Sequence, residues 1–331
     1  MMPLLSVKDL AVRFETHDGV VRAVDGVSFE MEEGETLGLV GESGSGKSVT
    51  NLALLGLIPS PPGVMSGVVH FDGQEITKLS EPDLRKIRGN RIAMIFQDPM
   101  TSLNPLLTIG RQLTEVLELH KGMKYAQALR QSAAALGEVG LAEPEKRLAQ
   151  YPHELSGGMR QRVMIAMGLL CEPRLLLADE PTTALDVTIQ AQILELMAEV
   201  QKQHGTAIIL VTHDLGVVAG SADRVAVMYA GRIVEEGPTQ DIFNSPVHPY
   251  TKGLLSSVPR LDSDTSCELS SIPGSPPDLA EMPPGCAFAP RCPEVQPECL
   301  LTQPDLLSSG SPQSRNACPI ASPRASREAS S

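Results

Sequence analysis

The segment Gly41-Glu42-Ser43-Gly44-Ser45-Gly46-Lys47-Ser48 constrains this chain more than any other. The apolar run TLGLV (36–40) leads into it, and the helical run VTNLALLGLI (49–58) leads out. Glycines between a strand and a helix let successive backbone N–H groups curl around an anion. The helix N-terminus adds the positive end of its dipole. In that context the pattern GxxxxGK(S/T) is a phosphate loop, and residues Gly41 to Val49 are its candidate ATP-binding residues. Lys47 suits the β and γ phosphates, and the Ser48 hydroxyl suits Mg²⁺.

The rest of the chain supplies a frame for such a loop. Short apolar runs, RIAMIFQ (91–97), LLLAD (175–179), AIILVTH (207–213) and RVAVMYAG (224–231), are separated by amphipathic stretches. That alternation predicts an α/β domain with a mostly parallel sheet. The first 35 residues and GVVHFDGQEI alternate apolar and polar residues between glycine turns, as half-exposed antiparallel strands do. From about 100 to 170 the spacing is helical, which predicts a helical insertion. After Arg260 the composition shifts to Ser, Pro and Cys, which predicts an irregular segment with a disordered end. The expected division is therefore a domain over 1–255 and an extension over 256–331.

Bulk properties exclude several classes. Apolar runs fall short of the roughly 18 to 20 residues that span a bilayer, and the N-terminus lacks a signal-peptide layout, so a cytoplasmic chain is expected. A net charge of −13 argues against a broad grip on nucleic acid. With no Trp and 3% aromatic residues, a base-stacking platform is not expected either.

The run Leu175-Leu176-Leu177-Ala178 ends in Asp179 and Glu180. An acid at the carboxyl end of a buried strand can hold Mg²⁺ through water, and an adjacent Glu can act on an attacking water as a base. These two carboxylates and the phosphate loop make phosphate-bond hydrolysis the expected chemistry.

Leu155-Ser156-Gly157-Gly158-Met159-Arg160-Gln161-Arg162 resembles the signature of ABC-type ATPases, with Met159 where many members carry Gln. Ser followed by glycines before an apolar run is also a helix start. The resemblance covers about residues 4–255 and implies a RecA-like core with an N-terminal antiparallel subdomain and a helical subdomain. It also implies that Ser156, Gly157, Gly158 and Met159 contact ATP held by a second subunit. Under it Gln97 is the Q-loop glutamine near Mg²⁺, which Ser48 and Asp179 also hold. Ala184-Leu185-Asp186 is the D-loop, Glu180 the catalytic base and His213 the switch histidine. Phe14 falls where the family stacks an aromatic on adenine, with a plain core residue as the alternative.

VGESGSGKS, YPHELSGGM, ADEPTTALDVTIQAQI and HPYTKGLL narrow the resemblance to the ATP-binding subunits of dipeptide and oligopeptide permeases, D-type. That resemblance implies a second, F-type ATPase subunit, two integral membrane permease subunits and a periplasmic or extracellular solute-binding protein. It places the chain on the cytoplasmic face of the inner membrane; the charge already argues against a nucleic acid partner.

Cys286, Cys292, Cys299 and Cys318 lie in the Pro-rich segment. Their spacing alone leaves an iron–sulfur cluster, zinc and free thiols open. The D-type resemblance implies a 4Fe-4S cluster there. Cys171 reads as a core thiol and Cys267 as a linker residue.

Overall fold

The computed structural model describes residues 2–17, 19–183, 186–257, 271–309 and 311–320. Ala184 and Leu185 of the expected D-loop, Cys267 and the closing residues 321–331 lie outside the described residues. The chain divides into two compact units. The first comprises Met1–Leu4, Met31–Thr36 and Gly73–Val211, and the second comprises Leu5–Glu30, Leu37–Asp72 and Thr212–Ser331.

In the first unit, strand Leu175–Asp179 lies between Ile92–Ile95 and Ala207–Thr212 and is parallel to both. Every residue of Leu175–Asp179 is buried. A strand covered on both faces shows a continuous apolar run rather than alternation, which is why LLLAD and AIILVT were legible as central strands. The stretch between Ile92–Ile95 and Leu175–Asp179 is helical: Ile109–Lys121, Tyr125–Glu138, Pro144–Leu148 and Gly157–Leu169. Ile109, Leu113 and Leu117 recur at helical spacing and are fully buried, so one face of Ile109–Lys121 forms the core of this helical stretch.

In the second unit, Leu5–Thr16 pairs antiparallel with Gly63–Phe71 and has Gly19–Met31 on its other side. The alternation seen in the sequence is realised there. Thr36–Val40 runs parallel to Arg224–Tyr229, which is antiparallel to Arg232–Pro238.

The C-terminal segment is irregular over 271–288, as expected, and carries a few short elements beyond it. Short 3-10 turns, Ala289–Arg291 and Pro297–Leu300, are followed by strand Ser311–Asn316, which pairs antiparallel with Arg232–Pro238. Glu236, buried in the latter strand, accepts from Arg224 and, at 2.6 Å, from Arg315. Ala287 and Phe288 enter one apolar cluster with Val40, Tyr229 and Tyr250. This stretch is held by strand pairing, by the Arg315–Glu236 ion pair and by Ala287 and Phe288 in the apolar cluster.

Candidate functional site

The phosphate loop lies in the second unit, between Thr36–Val40 and helix Lys47–Leu54. Gly41 and Gly46 have φ of 155° and 102°. A Cβ on Gly41 would sit 2.2 Å from the Met228 carbonyl oxygen, and one on Gly46 would sit 2.3 Å from that of Ala23. Only glycine fits either place, so the loop's path is fixed by packing as well as by backbone freedom.

Lys47 is buried, and its ammonium donates to the carbonyls of Gly41 and Glu42, both at 2.8 Å, and to Ser45 Oγ at 3.3 Å. Ser45 is buried, whereas Ser43 and Gly44 are exposed at the loop's tip and Ser48 and Val49 are half-buried. A buried cation, a hydroxyl at the first turn of a helix and a glycine backbone form a donor set that fits a polyphosphate and its Mg²⁺.

Two side chains remote in sequence also meet this loop. The Glu42 N–H donates to the Tyr250 hydroxyl at 2.9 Å, and Arg291 forms a two-pronged ion pair with the Glu42 carboxylate. Sequence reasoning missed both as site residues; the only signal was the HPYTKGLL run that contains Tyr250. Phe14 is half-buried on Leu5–Thr16 opposite Gly63. His213 is exposed just after Ala207–Thr212.

In the first unit the structure brings Gln97 and Glu180 together. Gln97 Nε2 donates to Glu180 Oε2 at 2.8 Å, and Thr183 Oγ1 donates to the same oxygen at 2.8 Å. Glu180 has a φ of 46°, a left-handed conformation uncommon outside glycine, and its N–H donates to the Val211 carbonyl. Such backbone strain persists where surrounding contacts over-determine it, here by turning the carboxylate off the end of the strand. Asp179, one residue earlier, is buried at the strand end, the placement and chemistry of a Mg²⁺-holding acid.

Ser156 caps helix Gly157–Leu169, its side chain accepting from the Met159 N–H. Gln161 of that helix donates to the Pro181 carbonyl at 2.6 Å, tying the signature helix to the turn that carries Glu180. Gln161 and Thr183 lie inside the two motifs, yet sequence reasoning gives neither a role. Asp186 caps helix Val187–His204, accepting from the Ile189 N–H at 3.0 Å.

The expected metal site at Cys286, Cys292, Cys299 and Cys318 is not supported, as a 4Fe-4S cluster or otherwise. Among the described residues no three His, Cys, Asp or Glu side chains are arranged to hold a metal ion. All four cysteines are free thiols. Burial pushes the Cys286 and Cys292 thiols up from the usual thiol range. Cys286 and Cys292 instead pack against the apolar cluster around Phe288, and the Cys286 N–H donates to the Cys299 carbonyl at 2.8 Å. Cys171 is a buried thiol, as its sequence context suggested.

The fold is that of ATP-binding cassettes. A dimeric cassette solved in a post-hydrolysis state bound to ADP and Pi matches with a TM-score of 0.64 at 28% identity, over 71% of this chain and 98% of that one. Residues 24–183 match the ABC transporter family, and 234–299 match the oligopeptide/dipeptide transporter C-terminal region. An oligopeptide transport ATP-binding protein of Salmonella typhimurium is 56% identical over 95% of this chain and 93% of its own length. A dipeptide transport ATP-binding protein of Bacillus subtilis is 56% identical over 90% and 89%. This chain belongs to the ABC transporter family, among its oligopeptide and dipeptide transport ATP-binding proteins. Among the described residues no helix is long and apolar enough to cross a membrane.

Proposed function

We propose that this chain binds and hydrolyses ATP to power a membrane importer of oligopeptides, dipeptides or a related peptide-like solute. The observation that carries the chemical assignment is the Glu180 carboxylate at the tip of a buried strand, gripped by Gln97 and Thr183. Two donors on Oε2 fix the direction in which the carboxylate accepts a proton from water, the requirement for a general base.

In this reading Lys47, Ser48 and the backbone from Gly41 to Val49 hold the triphosphate, and Phe14 lies against the adenine. Ser48, Gln97 and Asp179 are the Mg²⁺ residues; the ion, when bound, supplies positive charge to phosphate oxygens. Glu180 takes the proton of the attacking water and His213 contacts the γ phosphate. Ser156, Gly157, Gly158 and Met159 serve ATP held by a second subunit, with Asp186 at that interface. The second subunit is an F-type relative, so the working pair is a heterodimer.

Two integral membrane permease subunits and a periplasmic or extracellular solute-binding protein complete the importer. The chain sits peripherally on the cytoplasmic face of the inner membrane. Residues 1–255 serve as the nucleotide-binding domain and 256–331 as its extension.

Replacing Glu180 by Gln keeps the Gln97 and Thr183 contacts nearly isosteric while removing the base. ATP binding should persist, and steady-state hydrolysis should fall by about 10² to 10⁴, the range for loss of a positioned base. Turnover near that of the unmodified protein would overturn the assignment. Co-purification of the chain with two integral membrane proteins tests the importer.

A further inference from the structure

Glu42, the second residue of the phosphate loop, is fixed at three points. Its N–H donates to the Tyr250 hydroxyl at 2.9 Å, and its carbonyl accepts from Lys47 Nζ at 2.8 Å. Its carboxylate receives Arg291 Nη1 at 2.7 Å on Oε2 and Nη2 at 3.0 Å on Oε1. Arg291 lies 249 positions further along the chain, in the C-terminal segment.

The Arg291 side chain is 4% exposed, against 28% for Glu42. Its remaining donors are engaged as well: Nε reaches the Pro273 carbonyl at 3.0 Å, and Nη1 reaches the Tyr229 hydroxyl at 3.3 Å. The guanidinium also lies over the Tyr229 and Phe288 rings, 5.8 and 6.0 Å from their centroids. A buried cation this fully paired is held in one geometry, and a bidentate carboxylate contact transmits that geometry to its partner.

Electrostatics give the arrangement a direction. A carboxylate in a loop built to receive a polyphosphate repels it, and at short range in a partly dry site that repulsion is strong. Arg291 cancels the charge of Glu42. Tyr250, meanwhile, holds the adjoining peptide so that its carbonyl faces Lys47.

We propose that Arg291 and Tyr250 are positioning residues for the nucleotide: the C-terminal segment sets the shape of the phosphate loop and neutralises Glu42. Nucleotide affinity, more than turnover, then depends on a part of the chain far from the loop in sequence. This rests on reading the loop as the ATP site.

The test uses the full chain with Arg291→Met, Glu42→Gln, the double variant and Tyr250→Phe. It measures binding of a fluorescent ATP analogue together with KM and kcat for hydrolysis. Arg291→Met should weaken binding and raise KM by about tenfold, with kcat within about threefold. Adding Glu42→Gln to it should restore most of the affinity, because the unpaired charge is gone; a purely structural arginine would not be rescued this way.

Tyr250→Phe should weaken binding by about threefold, and it gives the same readout should Arg291→Met fail to fold. Unchanged affinity in Arg291→Met, or a double variant no tighter than the single, overturns the proposal. With Arg291→Met unfolded, unchanged affinity in Tyr250→Phe does so. Lys47→Ala separates the two readings. If it binds the analogue as well as the unmodified chain does, the loop is not the ATP site. If it loses binding while Arg291→Met does not, only the positioning role fails.

Discussion

His248 is a buried histidine whose ring is committed to the backbone. It is 1% exposed, and its Nδ1 accepts the Tyr250 N–H at 3.1 Å, capping helix Pro249–Ser256. Burial, with a smaller contribution from the charge of Lys252, pushes its pKa down to about 4. In the unfolded chain the imidazole takes up its proton near 6.5, so the stability gained from a neutral His248 is fully present above that pH. It is lost as the pH falls from about 6.5 to about 4, where the unfolded chain binds more protons. By the lower limit the loss is on the order of 3 kcal/mol. Glu235 acts in the opposite sense: burial raises its pKa, so the folded chain gains its proton first on acidification. His248→Asn keeps a capping oxygen and removes the titration. Its melting temperature should fall less steeply than that of the unmodified chain between pH 6.5 and 4.5, and equal slopes would remove His248 as the cause. At this scale the legible residues were those in contiguous motifs, such as Lys47, Ser156 and Glu180. Arg291 was not legible, because its meaning lies in an ion pair closed across 249 positions.

Among the elements, the start of helix Gly157–Leu169 separates packing from contact chemistry. A Cβ on Gly157 would meet nothing within 4 Å, whereas one on Gly158 would come within 3.2 Å of Ile189 Cγ2. Neither has the positive φ that demands glycine. Gly157→Ala should therefore leave the melting temperature of the isolated chain unchanged or slightly raised, since Ala is the better helix former. If Gly157 faces the nucleotide of a second subunit, ATP turnover of the assembled importer should nonetheless fall at least about tenfold, because a methyl group then intrudes on a phosphate contact. Gly158→Ala should destabilise the isolated chain by about 1 kcal/mol through crowding of Ile189. Full turnover in assembled Gly157→Ala would detach that glycine from the partner's nucleotide. The helix was legible because a Ser cap and an apolar run are local signals, as were the strands covered on both faces. Strand Ser311–Asn316 was not: SPQSRN has no apolar alternation, and its pairing with Arg232–Pro238 is decided by the partner strand and by Arg315 on Glu236.

At the scale of the whole molecule, the C-terminal segment is part of a core. Phe288 is 2% exposed and packs edge-on to Tyr229 at 5.3 Å and tilted to Tyr250 at 5.4 Å. Tyr250 in turn receives the Glu42 N–H, so the aromatic cluster stands directly behind the phosphate loop. The sequence shows a Cys- and Pro-rich run, where the D-type resemblance implies a 4Fe-4S cluster. Three buried aromatic rings and the Arg291 pair supply the organisation instead. Two consequences distinguish an apolar staple from a loose appendage. Phe288→Ala should cost about 3 to 5 kcal/mol, the range for emptying a buried aromatic site, and should lower the melting temperature of the full chain. It should also weaken ATP-analogue binding, since Tyr250 and Arg291 lose the ring that holds both against Glu42. An unchanged melting temperature would mean that the segment packs without stabilising its unit. A lowered one with unchanged nucleotide affinity would mean that the staple serves stability alone, and that the loop keeps its shape without the tail.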